Sequence, residues 1–219
     1  MSRPILYTAE LDYPEEALAG FLEWYAFRHA PDLYACGFRS CACYRAVEGG
    51  MDIVDVYEAP SASVFTTPRY RSLADRDRYV AAILSKRRAK AHTVYEHEML
   101  APAPAGEMAP LDADWLSLLR FAAVPEADDR VGAWLAREEA PRLAALGAKR
   151  LRLAFRGSDH PAYTTHRPRG LVLVEWPHRP PPEAELRQRL AAAFAGTVSA
   201  LDAFIGYRLY PWPDKSGAP

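Results

Sequence analysis

The sequence predicts an α+β fold made of two tandem ferredoxin-like repeats, each ordered strand, helix, strand, strand, helix, strand. Three observations predict it. Residues 23–33 and 133–143 align without a gap at an offset of 110, so that Trp24 matches Trp134, Ala30-Pro31 matches Ala140-Pro141, Leu33 matches Leu143 and Gly37 matches Gly147. A repeat of domain length constrains architecture before any local motif does. The order of alternating and helically spaced apolar stretches is the same in both halves, the order of a split βαβ unit. Leu171–Val174 is apolar at every position, as a strand buried on both faces must be. Each sheet should therefore cover its own helices with one face and the other sheet with its second, enclosing a barrel-like core within one chain.

The elements follow in order. Ile5–Leu11 alternates, with Ile5, Tyr7, Ala9 and Leu11 on one face and Leu6, Thr8 and Glu10 on the other, a strand pattern. Asp12-Tyr13-Pro14-Glu15-Glu16 opens a helix with a cap candidate, an early proline and first-turn acids. Ala17, Leu18, Phe21, Leu22, Trp24 and Tyr25 give it an apolar face, and Pro31 should end it. Phe38–Val47 and Met51–Glu58 read as strands around a Gly49-Gly50 hairpin. A helix is expected over 68–91 and a strand over Thr93–Leu100. In the second half, strands are expected at Trp115–Val124, Lys149–Arg156, 171–177 and Phe204–Tyr210, with Tyr207 matching Tyr95, and helices after Pro125 and over 183–200. The expected boundaries are residues 1–100 for the first repeat, 101–113 for a Pro/Ala linker, 114–212 for the second repeat and 213–219 for a tail.

Composition excludes several classes. A net charge of −1 across 219 residues argues against a nucleic-acid partner or a polybasic membrane surface. No stretch approaches the apolar length that spans a bilayer, and the first residues show no secretory leader. Three cysteines, Cys36, Cys41 and Cys43, are odd in number and fit a reduced, cytoplasmic protein with small buried thiols rather than a zinc site. No metal site is expected.

Titratable groups concentrate in the first half. His29 faces Glu139 in the alignment, Asp55 faces Val172 and His97 faces Leu209. His29 either serves the helix C-terminal dipole or acts as acid or base in a pocket. Asp55 sits among apolar strand residues, where a carboxylate is costly unless satisfied. Either an arginine such as Arg45 satisfies it, or it is a catalytic carboxylate with a raised pKa. Asp55 and Tyr57 share a face, as do Tyr95 and His97. Arg120 and Arg152 interrupt apolar strands and either neutralise first-half carboxylates across the barrel or bind a substrate anion. Glu10 is a weaker candidate that could be the exposed end of its strand. His160 and His166 lie in a long interstrand loop, a common form for lids and binding loops.

Trp24-Tyr25, His29, Pro31, Gly37-Phe38 and the Tyr57-Glu58 strand end resemble the dimeric α+β barrel superfamily, and within it the EthD-like proteins. Arg28 departs from the acid often found before that His, and Cys36 replaces the turn proline. The resemblance implies a small-molecule substrate and a superfamily that includes isomerases, cyclases, dehydratases, cofactor-free monooxygenases and haem enzymes. With the residue reading, it leads to a cofactor-independent acid–base enzyme (isomerase, cyclase or lyase) acting on a small apolar or aromatic carbonyl compound. A cofactor-free monooxygenase, a haem enzyme or a non-catalytic ligand-binding protein are the alternatives. Catalytic candidates are His29, Asp55, His97, Tyr57 and Tyr95. Substrate-binding candidates are Trp24, Tyr7, Glu10, Arg120 and Arg152. An internal pseudo-dimer would act as a monomer or a homodimer.

Overall fold

A computed structural model describes residues 3–101, 111–164 and 167–211. Eight antiparallel strands close into one barrel. The first half runs β1 (Ile5–Asp12), α1 (Glu15–Trp24), a π-helical turn (Tyr25–His29), α2 (Ala30–Ala35), β2 (Ser40–Glu48), β3 (Ile53–Ala59), three short helices α3 (Pro68–Arg71), α4 (Leu73–Arg76) and α5 (Val80–Leu84), and β4 (Ala89–Ala101). The second half runs β5 (Trp115–Ala123), α6 (Asp128–Trp134), a second π-helical turn (Leu135–Glu139), α7 (Ala140–Ala145), β6 (Arg150–Phe155), β7 (Gly170–Trp176), α8 (Glu183–Ala193) and β8 (Val198–Tyr210). Around the barrel the order is β1, β3, β2, β8, β5, β7, β6, β4. The two seams between halves are thus β2 with β8 and β4 with β6. At the first seam a Cβ on Gly206 would stand 2.6 Å from the Arg45 carbonyl oxygen and 2.3 Å from the Phe204 ring, so the strands can approach only with glycine there.

Strand alternation sorts side chains into three cores. Leu6, Val54, Val56, Tyr44, Tyr95, Leu116, Leu118, Leu171, Leu173 and Phe204 fill the barrel. The opposite strand faces pack under the helices of their own half. Each fully buried aliphatic side chain contributes about 1.5–3 kcal/mol. An ion cluster closes each end of the apolar barrel interior. At one end Arg120 pairs with Glu10 at 2.7 Å, both fully buried, and Arg167 and Asp202 extend the cluster outward. At the other, Arg152 pairs with Glu58 at 3.0 Å and Glu175 at 3.2 Å, and Arg150 joins Glu175 to Asp112. The end of the expected linker belongs to this plug: Leu111 is buried in the barrel and Tyr44 donates to the Ala113 carbonyl. Residues 102–110, Trp212 and the tail lie outside the described residues.

Several local expectations are corrected. Pro31 does not end the helix. The N–H of Ala30 reaches back to the Tyr25 carbonyl, and this wider turn absorbs the missing donor and the ring clash of the following proline. Pro141 is handled the same way, with Ala140 bonded to Leu135. Asp12 is no helix cap; its carboxylate accepts from the Asp52 N–H of the β2–β3 hairpin. The helix expected over 68–91 is broken at Asp77, whose backbone is extended, and β4 begins at Ala89. Helix α8 stops at Ala193, and β8 starts six residues earlier than expected. Glu10 is no exposed strand end but fully buried. Tyr95 and Tyr207 are not equivalent. Glu96 and Tyr207 occupy matching places opposite Ile5 and Trp115, and this one-residue slip puts Tyr95 inside the barrel and Tyr207 on its surface.

Removing one partner from a buried pair strands the other charge in the barrel. Arg120→Met is expected to lower unfolding stability by roughly 3–5 kcal/mol in urea titrations. Arg179→Met, which breaks the exposed pair with Glu48, should change it by about 0.5 kcal/mol or less.

Candidate functional site

The helix-facing side of the first half's sheet carries an unusual set of side chains. Tyr7 on β1, Asp55 and Tyr57 on β3 and His92 on β4 point toward the helices rather than into the barrel. The π-helical turn sets Trp24 and His29 above them. It adds a residue to the helix just before Pro31, and a Gly37 with φ +103 ends α2 with bonds from Gly37 to Tyr34 and Phe38 to Leu33, a Schellman-type stop. Tyr70 enters from α3, whose start is capped by Thr67 accepting from the Tyr70 N–H and followed by Pro68. From the second half, the loop between β6 and β7 lays His160 and Tyr163 across the opening.

These groups line two adjoining cavities of about 80 and 330 Å³, with Trp24, His29, Tyr70, Leu84 and Tyr163 common to both walls. The walls are mostly rings. Tyr7 stacks on Tyr57 at 5.4 Å and on His160 at 5.2 Å, His92 stacks on Tyr163 at 3.9 Å, and Trp24 covers His29 at 4.5 Å. A larger groove of about 510 Å³ runs along α6 and the β4–β6 seam. Its lining of Arg3, Glu96, Asp128 and Asp129 is ionic, and Asp128 is held by Arg169 at 2.5 Å. Convergent polar groups within an apolar wall mark a ligand site better than volume does.

Asp55 is a buried carboxylate on this wall. It is 2 % exposed, and its Oδ1 has no hydrogen-bond partner among the described residues. Burial pushes its pKa up to about 7, only partly opposed by the Cys43 thiol and Tyr57 hydroxyl beside it. Arg45 does not serve it; that guanidinium pairs with Glu15 at 2.5 Å on the surface. His29 is half-buried and carries no helix-end role, because the chain continues helically to Ala35. Burial holds its pKa down to about 4 against the pull of Asp77, so near neutrality it is an uncharged imidazole. Trp24 is fixed by donating to Asp77 at 2.5 Å. Two phenol–imidazole pairs complete the wall: Tyr7 with His92 Nδ1 at 2.6 Å and Tyr70 with His160 Nε2 at 2.8 Å.

The structure thus brings together His29, Asp55, Tyr57, Trp24 and Tyr7. It places Tyr95, His97, Glu10, Arg120 and Arg152 on the other face of the sheet, inside the barrel. There Arg120 and Arg152 neutralise first-half carboxylates, and Tyr95 donates to the Pro168 carbonyl. His97 lies 3.8 Å from Glu58, but burial and nearby Arg152 hold its pKa down to about 3, so this contact is not an ion pair near neutrality. Sequence reasoning missed Tyr70 and His92 as site residues. His92 was legible once β4 is started at Ala89, since His92 and Val94 then share the face of Tyr7. His166 lies outside the described residues. The three cysteines are buried and free. Among the described residues no cluster of His, Cys, Asp or Glu is arranged to hold a metal, and no helix is long and apolar enough to cross a membrane.

Among the described residues the second half shows no matching set of side chains. At the place of His29 it carries Glu139, fully buried and clamped by Arg142 at 2.8 Å and Arg189 at 2.6 Å. At the corresponding place between helices and sheet, beside Ser117, Leu119, Leu143 and Ala203, a cavity of only about 20 Å³ remains.

No protein-family model and no curated protein sequence matches the chain. Solved structures do. One is an anthrone oxidase-like protein, with a TM-score of 0.66 and 11% identity over 96% of this chain and 92% of that one. Another, from Lactobacillus acidophilus NCFM, is described as a "putative monooxygenase" (TM-score 0.61, 11% identity, 94% of each chain). A third is described as a "putative chlorite dismutase" (TM-score 0.55, 12% identity, 95% and 96%). At these identities the likeness is one of fold, a closed barrel with helices packed outside it.

Burying Asp55 couples its ionisation to stability. Its folded pKa is raised, so the fold is most favoured below about pH 4, where folded and unfolded chains both carry the proton. Stability from this group falls as pH rises toward about 7. Asp55→Asn removes that loss. The variant should gain roughly 2 kcal/mol more at pH 7 than at pH 5 in paired urea titrations.

Proposed function

We propose that the chain is an enzyme that abstracts a proton from a small aromatic carbonyl compound without a bound cofactor, using Asp55 as the base. The observation that carries this reading is the unpartnered, buried carboxylate oxygen of Asp55 on the wall of an aromatic cavity. A carboxylate there takes a proton from the carbon next to the substrate carbonyl, and the electron pair moves into the carbonyl to form an enolate. Ring walls exclude water and favour a flat substrate. His29, uncharged and on the same wall, is placed to carry the proton to a second carbon, which completes an isomerisation or starts an elimination. The first half is the active half. The second, in this reading a duplicate of the same EthD-like ferredoxin unit, supplies the closing strands, so one chain suffices.

A second reading shares the first step. The fold neighbours include proteins described as monooxygenase and anthrone oxidase-like, which favours molecular oxygen as the next reactant. Oxygen would add at the carbanion carbon, and loss of water would leave a quinone. Haem, the other alternative of the resemblance, fits poorly. His29 offers a suitable nitrogen, but an apolar cavity of about 150 Å³ takes one benzene ring. About 330 Å³ therefore suits two or three fused rings and not a tetrapyrrole.

With 2-tetralone as probe, the protein should accelerate deuterium incorporation beside the carbonyl in D₂O. The rate should rise with pH through about 7 as Asp55 ionises, and Asp55→Asn should lower it about 100-fold or more. Exchange at the buffer rate in the wild-type protein would remove the reading. Oxygen uptake with anthrone, above the spontaneous rate, would select the oxygenase branch.

A further inference from the structure

We infer that Tyr70 and His160 form a donor dyad: the Tyr70 hydroxyl hydrogen-bonds the substrate's developing oxyanion, and an imidazole from the other half of the chain holds it in position. The inference rests on the proton-abstraction reading of the cavity and names the group that would receive the charge. Its basis is a proton assignment. His160 Nδ1 accepts from the Ala162 N–H at 3.0 Å, so that nitrogen carries no proton. Burial keeps the ring uncharged near neutrality, with its pKa down to about 4. The single ring proton is then on Nε2, which lies 2.8 Å from the Tyr70 oxygen and donates to it. The phenol's own proton is left to point elsewhere, and a phenol that accepts one hydrogen bond donates a second more strongly.

Position favours Tyr70 over the other phenols. It stands on the shared wall of both cavities, whereas Tyr7 and Tyr57 line the inner one. Tyr7 is engaged by His92 at 2.6 Å, and Tyr57 lies against Asp55. His160 is itself fixed by ring contacts to Phe65 at 4.6 Å, Tyr163 at 4.7 Å and Tyr7 at 5.2 Å. Oxyanion donors of this kind must be oriented before the charge forms. Tyr70 is thus the catalytic donor, and His160, 90 residues away in the other half, is a positioning residue.

The test uses 4-nitrophenol, whose absorbance reports its ionisation, with the full chain. The wild-type protein is expected to bind the phenolate in preference to the phenol, which lowers the bound probe's apparent pKa below that of the free probe. Tyr70→Phe should weaken phenolate binding about 10-fold while leaving phenol binding unchanged. His160→Leu should do the same. His160→Gln, whose amide N–H can still donate to Tyr70, should restore most of the preference, which a purely structural role would not do. No phenolate preference in the wild-type protein, or equal preference in Tyr70→Phe, overturns the dyad. His160→Gln behaving like His160→Leu overturns the positioning role. The base is scored separately by deuterium exchange in Asp55→Asn. Lost exchange there with an unchanged preference in Tyr70→Phe keeps the base and removes the dyad; the opposite pattern keeps the dyad and removes the base.

Discussion

Everything in this molecule depends on closing one barrel from two halves. A four-stranded sheet alone would leave two edges and one apolar face open, and such edges invite pairing with other chains. Here β2 finds β8 and β4 finds β6, so every edge is used. Aliphatic and aromatic side chains fill the interior this creates, and charged pairs close its ends. Glu10 and Arg120 occupy equivalent strand positions in the two halves, yet carry opposite charge and meet at 2.7 Å. A symmetric pair of carboxylates or guanidiniums could not be buried there. The difference between the halves at that position lets both side chains be buried as a pair.

The same division of labour explains why a cavity opens under one set of helices and not the other. Both halves need a π-helical turn before Ala-Pro, and both put an ionisable side chain at its last position. In the second half Glu139 is fully clamped by two arginines, and the helices settle onto the sheet. In the first half His29 has a tryptophan face as its cover, and space remains. Once the barrel is held by the ion clusters and the second core, the first half can keep an imperfectly packed layer at a tolerable cost in stability.

That layer has a distinctive electrostatic character. Burial raises Asp55 to about 7 and lowers His29 and His160 to about 4, so near neutrality the pocket holds uncharged imidazoles and a carboxyl poised to lose its proton. Groups whose environments push their pKa values in opposite directions mark acid–base sites. The barrel interior shows the contrasting case, where carboxylates and guanidiniums sit as matched pairs. Asp55 is the buried acid without such a partner.

The sequence by itself determined the architecture and much of the site's first half. Period-two alternation placed Asp55 and Tyr57 on one strand face, the 110-residue offset paired His29 with Glu139, and the all-apolar Leu171–Val174 announced burial on both sides. These are local properties, carried by spacing along one element. Only the tertiary structure decided which face met which. It turned the strand faces bearing Glu10, Tyr95, His97, Arg120 and Arg152 into the barrel, where the arginines meet carboxylates of the first half. It also recruited Tyr70 and His160, which are 90 residues apart and meet at 2.8 Å. Their encounter follows from barrel closure, which carries a second-half loop over a first-half cavity. No spacing along a single element encodes it.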